Sequence, residues 1–148
     1  MERGEYAAEL FVKGYNCAQA VAVAFHNELG LTESQAAKMV SAFGGGMGRM
    51  REVCGAVSGM LFVLSALYGY DTPGDDVSKK RLYSEVQELA AAFRAENGSI
   101  ICREILKNPP SDPNPTPRTA EFYAKRPCAK MVLTAARLME EFMEGHPL

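Results

Sequence analysis

Between Phe43 and Tyr70 the chain passes from a loop holding Gly44, Gly45, Gly46 and Gly48, through Cys54, into an apolar run from Met60 to Tyr68. A segment that is apolar around its whole circumference, and not along one stripe, is normally buried in the middle of a helical protein. The run is shorter than the roughly 18 or more residues that argue for a membrane span, so a core helix is expected here and no membrane span. Gly55 and Gly59 stand four apart on one face of that helix and would let another helix or a ligand approach its backbone. Cys54 falls where the helix is expected to begin.

The remaining segments supply the helices that would surround it. From Glu5 to Lys13 the apolar positions Tyr6, Ala7, Leu10 and Phe11 recur at helical spacing and Gly14 closes the run. Asn16 is a good N-cap for a second helix starting at Cys17, with Ala18, Val21, Ala22, Phe25 and Leu29 on one stripe up to Gly30. Thr32 followed by Gln35 has the form of a capping box for a third helix. The central helix is expected from about Glu52 to Tyr68, and a long amphipathic helix carrying Leu82, Val86, Leu89, Ala90 and Phe93 follows, ending at Asn97-Gly98. Ser99 can cap a short helix from Ile100 to Lys107 that contains Cys102. Five prolines between Pro109 and Pro117 then forbid helix or central strand, so residues 108–118 are expected to run as an extended strap or lid across the surface. Pro127 suits the start of a final helix bearing Cys128, Met131, Val132, Ala135, Leu138, Met139 and Phe142 on one stripe. The fold class expected from this pattern is all-α: one domain over residues 1–148, a bundle of six or seven helices around a central apolar helix.

A chain of 148 residues can bury a substantial core without disulfide staples, so its four cysteines are not required for stability. The net charge of −2, with basic and acidic residues interspersed, provides no basic stripe of the kind that tracks nucleic acid. The N-terminal residues lack the pattern of a secretory signal, and the expected location is cytoplasmic. Thiols stay reduced in that compartment, and an even number of them reads first as metal binding or redox chemistry. Against this stands the plain alternative that buried cysteine packs as a small hydrophobe.

The cysteines show no C-x-x-C or zinc-finger spacing, but the expected helix boundaries put each of Cys17, Cys54, Cys102 and Cys128 in the first turn of a different helix. A helix N-terminus carries partial positive charge and unpaired amides, which lower a thiol pKa from about 8.5 toward roughly 3.5 to 7.5. The thiolate is the form that attacks disulfides and coordinates metals. If the four helix ends converge, the product is one or two redox-active thiol pairs, or a four-thiolate pocket suited to zinc or an iron-sulfur cluster. Lys13, Arg51, Arg103 and Arg126 each lie within a few positions of a cysteine. Cys54, beside the glycine loop, is expected to be the most reactive thiol.

The glycine loop, Gly44 to Gly48, is a second candidate, because it has no side chains to keep an anion from the backbone and leads toward a helix N-terminus. It matches neither the dinucleotide fingerprint nor the Walker loop, and a tightly packed left-handed turn is the plainer reading. His26 and His146 are isolated, the eight methionines fit core filling, and no Ser-His-Asp or Cys-His set supports hydrolysis.

The order NCAQAV at Cys17, FGGGMGRMREVCGAVSG through Cys54, one cysteine at Cys102 and one after a proline-rich strap at Cys128 resembles the bacterial and archaeal redox-active proteins named for their C_GCAxxG_C_C pattern. The resemblance runs from about Tyr15 to Cys128, and the glycine loop with the Cys54-Gly55-Ala56-Val57-Ser58-Gly59 block is its most specific part. It implies that Cys17, Cys54, Cys102 and Cys128 act together, with Gly55, Ala56 and Gly59 completing the motif. The expected function is thiol/disulfide exchange or electron transfer with a partner oxidoreductase. The alternative, from a different class, is a metal-thiolate module that binds or delivers zinc or an iron-sulfur cluster through the same four cysteines.

Overall fold

The computed structural model describes all 148 residues and contains nine α-helices, with no strand. They are α1 (Arg3–Val12), α2 (Cys17–Ala24), α3 (His26–Leu29), α4 (Glu33–Met39), α5 (Gly55–Tyr68), α6 (Asp76–Asn97), α7 (Cys102–Ile105), α8 (Ala120–Lys125) and α9 (Cys128–Gly145). A single turn of 3₁₀ helix, Ser41–Phe43, leads into the glycine loop. No helix is long and apolar enough to cross a membrane.

The count exceeds the expected six or seven for local reasons. The stripe from Ala18 to Leu29 is interrupted at Phe25, whose φ of −109° and ψ of 16° leave the helical region, so α2 and α3 are separate. After the strap, Thr119 accepts a side-chain hydrogen bond from the Phe122 N–H and starts α8, a short helix that the sequence reading does not anticipate. Two other caps differ from the reading: α7 has Ile101, without a side-chain cap hydrogen bond, in place of Ser99, and Pro127 is the N-cap of α9 and not its first residue. Asn16 with Gln19 and Thr32 with Gln35 form reciprocal capping boxes, and Gly98 closes α6 with φ of +85°.

The centre of the bundle also differs from the expectation. Helix α5 is buried along Gly55, Ala56, Val57, Gly59, Met60, Val63 and Leu64, but Ser65 and Ala66 are exposed. The most enclosed helix is α2, in which every residue except Gln19 is buried. Its sequence, CAQAVAVA, is built of small side chains, so α1, α4, α5 and α9 can all close upon it. The α2–α5 approach is tightest at Gly59, where a Cβ would stand 2.7 Å from the Ala18 carbonyl oxygen. Phe11, Phe25, Met60, Leu64, Phe93 and Met139 fill the main core between these helices.

Helix α5 starts three residues later than expected because Glu52 and Val53 are engaged elsewhere. Val53 and Ile101 form an isolated antiparallel bridge, in which the Cys54 N–H donates to the Ile100 carbonyl at 2.7 Å and the Cys102 N–H to the Glu52 carbonyl at 2.6 Å. The same bridge shortens α7 from the Ile100–Lys107 span expected, and it ties two cysteine-bearing segments together.

Candidate functional site

The four cysteines lie at helix starts. Cys17, Cys102 and Cys128 are the first residues of α2, α7 and α9, and Cys54 immediately precedes α5. All four are free thiols, between 5% and 9% exposed, and all four line one cavity of about 470 Å³. The structure thus gathers residues spread over most of the chain around a single space. Arg51, Arg118, Arg126 and Arg49 share its wall, as do Phe11, Phe122 and the strap residues Pro113, Pro115 and Thr116.

Helix starts do not make the four thiols equally acidic. The Ala56 and Val57 amides at the start of α5 draw the Cys54 pKa down, yet burial outweighs them and pushes it up to about 12. Cys17 is raised well above the ordinary thiol value, first by its interaction with Cys128 and then by burial. Burial also raises Cys102, against the opposing pull of the Arg51 guanidinium, whose Nη1 donates to its Sγ at 3.7 Å. Cys128 alone moves the other way, to about 7: the Cys17 S–H supports its thiolate, and Arg126, Arg118 and Arg51 add positive charge. Burial thus counts against the expectation that Cys54 is the most reactive thiol, and Cys128 is the one whose surroundings favour the thiolate.

The basic neighbours sort differently from their sequence positions. Arg126 acts on nearby Cys128, but Arg51 reaches across to Cys102. Arg103 is held by Glu52 at 2.9 Å, and exposed Lys13 is not part of the cavity wall. Arg49 and Arg118 escape the sequence reading although they end two segments it singles out, the glycine loop and the proline strap. Arg49 hydrogen-bonds the Asp112 carbonyl and the Thr116 hydroxyl, both at 2.6 Å. Arg118 donates to the carbonyls of Phe11 and Tyr15 and lies over the Phe11 ring, 4.5 Å from its centroid.

Of the glycines named as candidate ligand-binding positions, Gly44, Gly45, Gly46, Gly48 and Gly55 line the cavity, whereas Gly59 is spent on the α2–α5 contact. The loop winds left-handed, with positive φ at Gly45, Gly46, Met47, Gly48 and Arg49, and again at Arg51. Gly46 is where a side chain would do most damage, since a Cβ there would stand 2.8 Å from the Cys102 Cβ and 2.7 Å from the Glu52 nitrogen. The later loop amides, from Met47 to Glu52, donate to carbonyls within residues 42–47, while those of Gly44, Gly45 and Gly46 donate to no protein acceptor.

No three His, Cys, Asp or Glu side chains stand in a group that could hold a metal ion. Cys17, Cys54, Cys102 and Cys128, the residues that would hold zinc or an iron-sulfur cluster, border the same cavity without forming such a group. What the arrangement can do as it stands is present one acidic thiol beside a second thiol, in a cavity with positive charge on its wall.

Residues 15–142 match a family model described as "Putative redox-active protein (C_GCAxxG_C_C)". No curated protein and no solved structure matches the chain.

Proposed function

The chain belongs to the C_GCAxxG_C_C redox-active family, and from that premise we propose that it carries out thiol/disulfide exchange, with Cys128 as attacking thiolate and Cys17 as resolving thiol. The observation that carries this reading is the convergence of four free thiols on one cavity with arginines on its wall, where Arg126, Arg118 and Arg51 favour the Cys128 thiolate and burial disfavours ionisation of Cys17. A nucleophilic thiol is most effective when its pKa lies near the ambient pH.

In the forward direction the Cys128 thiolate attacks one sulfur of a substrate disulfide, forming a mixed disulfide and expelling the other sulfur as a thiolate. That thiolate takes the Cys17 proton. Cys17 then attacks the Cys128 sulfur, closing a Cys17–Cys128 disulfide and releasing the second substrate thiolate. Two electrons pass from the protein to the substrate, and a partner dithiol oxidoreductase returns them by the reverse sequence. Cys54 and Cys102 line the same cavity as a reserve pair whose raised pKa values favour the protonated state.

Alkylation with mass spectrometry, after equilibration in buffers of graded thiol/disulfide ratio, tests the reading. Cys128 should be modified first in the reduced protein, and a reversible Cys17–Cys128 link should appear on oxidation. Four thiols that stay inert in the native state under both conditions would overturn it. Anaerobic purification with metal analysis separates the alternative, in which the four cysteines hold zinc or an iron-sulfur cluster: bound metal or a brown colour would favour that module over thiol exchange.

A further inference from the structure

Three of the four guanidiniums around the thiol cavity have no carboxylate to answer them. Arg49 is paired with Asp112 at 3.2 Å. Arg51, Arg118 and Arg126 take part in no ion pair, and no Asp, Glu or His lies among the cavity's lining residues. Arg51 is the sharpest case. The residue is 4% exposed, and its hydrogen bonds go to the Pro110 carbonyl and to the Cys102 sulfur, which burial keeps as a neutral thiol. Arg126 has only the face of Phe122, 5.1 Å from its carbon to the ring centroid.

Of the three, only Arg51 is buried, Arg126 being half-buried and Arg118 exposed; for Arg51 a buried charge without a counter-charge is costly, and removing water from it makes an anion a strong partner. The Cys128 thiolate supplies a single negative charge against these three guanidiniums, so stabilising that thiolate accounts for only part of the excess. The unpaired amides of Gly44, Gly45 and Gly46 on the same wall add donors that also favour negative charge. The other side of the cavity is apolar, built from Phe11, Phe122, Ile105, Leu106 and Met131. Its volume of about 470 Å³ suits a small molecule, and the strap residues Pro113, Pro115 and Thr116 form part of its wall.

We propose that this cavity binds a small organic anion, and that the substrate of the thiol exchange is accordingly a low-molecular-weight disulfide bearing acidic groups. The second clause rests on the thiol-exchange reading above; the first does not. The acidic group sits against Arg51, Arg118 and Arg126, and the apolar body lies along Phe11 and Phe122. The exchange chemistry is the one already balanced, with two substrate thiols as products.

Two measurements keep the two parts apart. The first follows binding by amide and arginine NMR in a Cys128→Ser protein, which cannot react, using nitrobenzoate and its neutral isostere nitrobenzamide as probes. Nitrobenzoate should bind about tenfold or more tightly, as loss of one charge-assisted pair implies, and should shift the Gly45, Gly46 and Arg51 signals. Arg126→Gln should erase most of that preference and Arg126→Lys should restore part of it. Equal affinity for the two probes, or shifts confined to another surface, overturns the proposal.

The second compares the rates at which the reduced protein reacts with dithiobis(nitrobenzoate), a dicarboxylate, and with neutral dithiodipyridine. The ratio of the two rates cancels changes in thiolate fraction, so Arg126→Gln should lower it by about tenfold on the same reasoning. Reactive thiols with no preference between the disulfides overturn the acidic-substrate inference and leave thiol exchange standing. Anion binding with inert thiols does the reverse: it upholds the anion site and overturns exchange.

Discussion

Cys54 immediately precedes α5 and Cys128 opens α9, yet the pKa values of their thiols move in opposite directions. The helix N-terminus is common to both, so it does not decide the matter. Burial dominates at Cys54, and the pull of the Ala56 and Val57 amides fails to offset it. At Cys128 a neighbouring thiol and three guanidiniums outweigh a comparable burial. Iodoacetamide labelling of the reduced protein should therefore show a Cys128 midpoint near pH 7, moving upward in Arg126→Gln, while Cys54 stays unlabelled through neutral pH. The same shifts fix how stability follows pH. Cys128 is depressed below its ordinary value of about 9, so its contribution is present above that value and lost as pH falls toward 7. Cys54 is raised, so its contribution holds below about 9 and is lost as pH climbs toward 12. Urea unfolding of the reduced protein should accordingly give stability rising between pH 7 and 9 and falling above it, and Cys128→Ser should flatten the rise. That Cys17 and Cys128 open helices was legible from Asn16 and Pro127 beside them. Which thiol ionises was not, because Arg118 and Arg51 reach their sulfurs only through the tertiary fold.

Among the elements, the α2–α5 contact shows what the two glycines of the CGAxxG block contribute. A Cβ at Gly55 would stand 2.9 Å from the Phe43 carbonyl and 3.2 Å from the Cys17 Cβ, and one at Gly59 would stand 2.7 Å from the Ala18 carbonyl. These glycines set how near α5 comes to α2, and hence how near Cys54 comes to Cys17. Gly59→Ala gains about 1 kcal/mol of helix propensity, but the clashing atom is backbone and cannot rotate away, so overpacking of about 1–3 kcal/mol opposes it. We expect a net loss of about 1 kcal/mol, read by urea unfolding at 222 nm. Gly145→Ala, near the end of α9 with nothing within 4 Å of the added carbon, should be neutral or slightly stabilising; equal losses at the two sites would contradict the packing account. The capping boxes and the Gly98 stop were readable from short-range chemistry. The break at Phe25 and the short helix α8 were not, because an apolar stripe does not report a local change of backbone angle, and six residues carry too little periodicity to declare themselves.

Across the whole molecule, the bundle's packed core lies to one side of the cavity and the proline strap closes the other. The strap is held by the glycine loop: Arg51 Nε donates to the Pro110 carbonyl at 2.9 Å, and Arg49 grips Asp112 and Thr116. Two segments that looked like separate candidates in the sequence are thus parts of one wall, joined over some sixty residues by arginines that carry no local signature of the contact. The left-handed turns at Arg49 and Arg51 aim both side chains at the strap, a conformation that costs non-glycine residues roughly 1–2 kcal/mol each. Arg49→Gln removes a half-exposed ion pair worth about 0.2–1 kcal/mol and weakens hydrogen bonds worth about 1 kcal/mol apiece. The strap should then open about tenfold more often. Amide exchange at Ser111, Asp112, Asn114 and Thr116 should speed up correspondingly, while the core amides of α2 and α5 hold their rates. Labelling of Cys128 should accelerate much more for a bulky polymer-linked maleimide than for iodoacetamide, since only the larger reagent needs the strap displaced. A wild-type protein that reacts equally fast with both reagents would show that the strap does not guard the thiols, and access to the cavity would then have to come from the glycine-loop side.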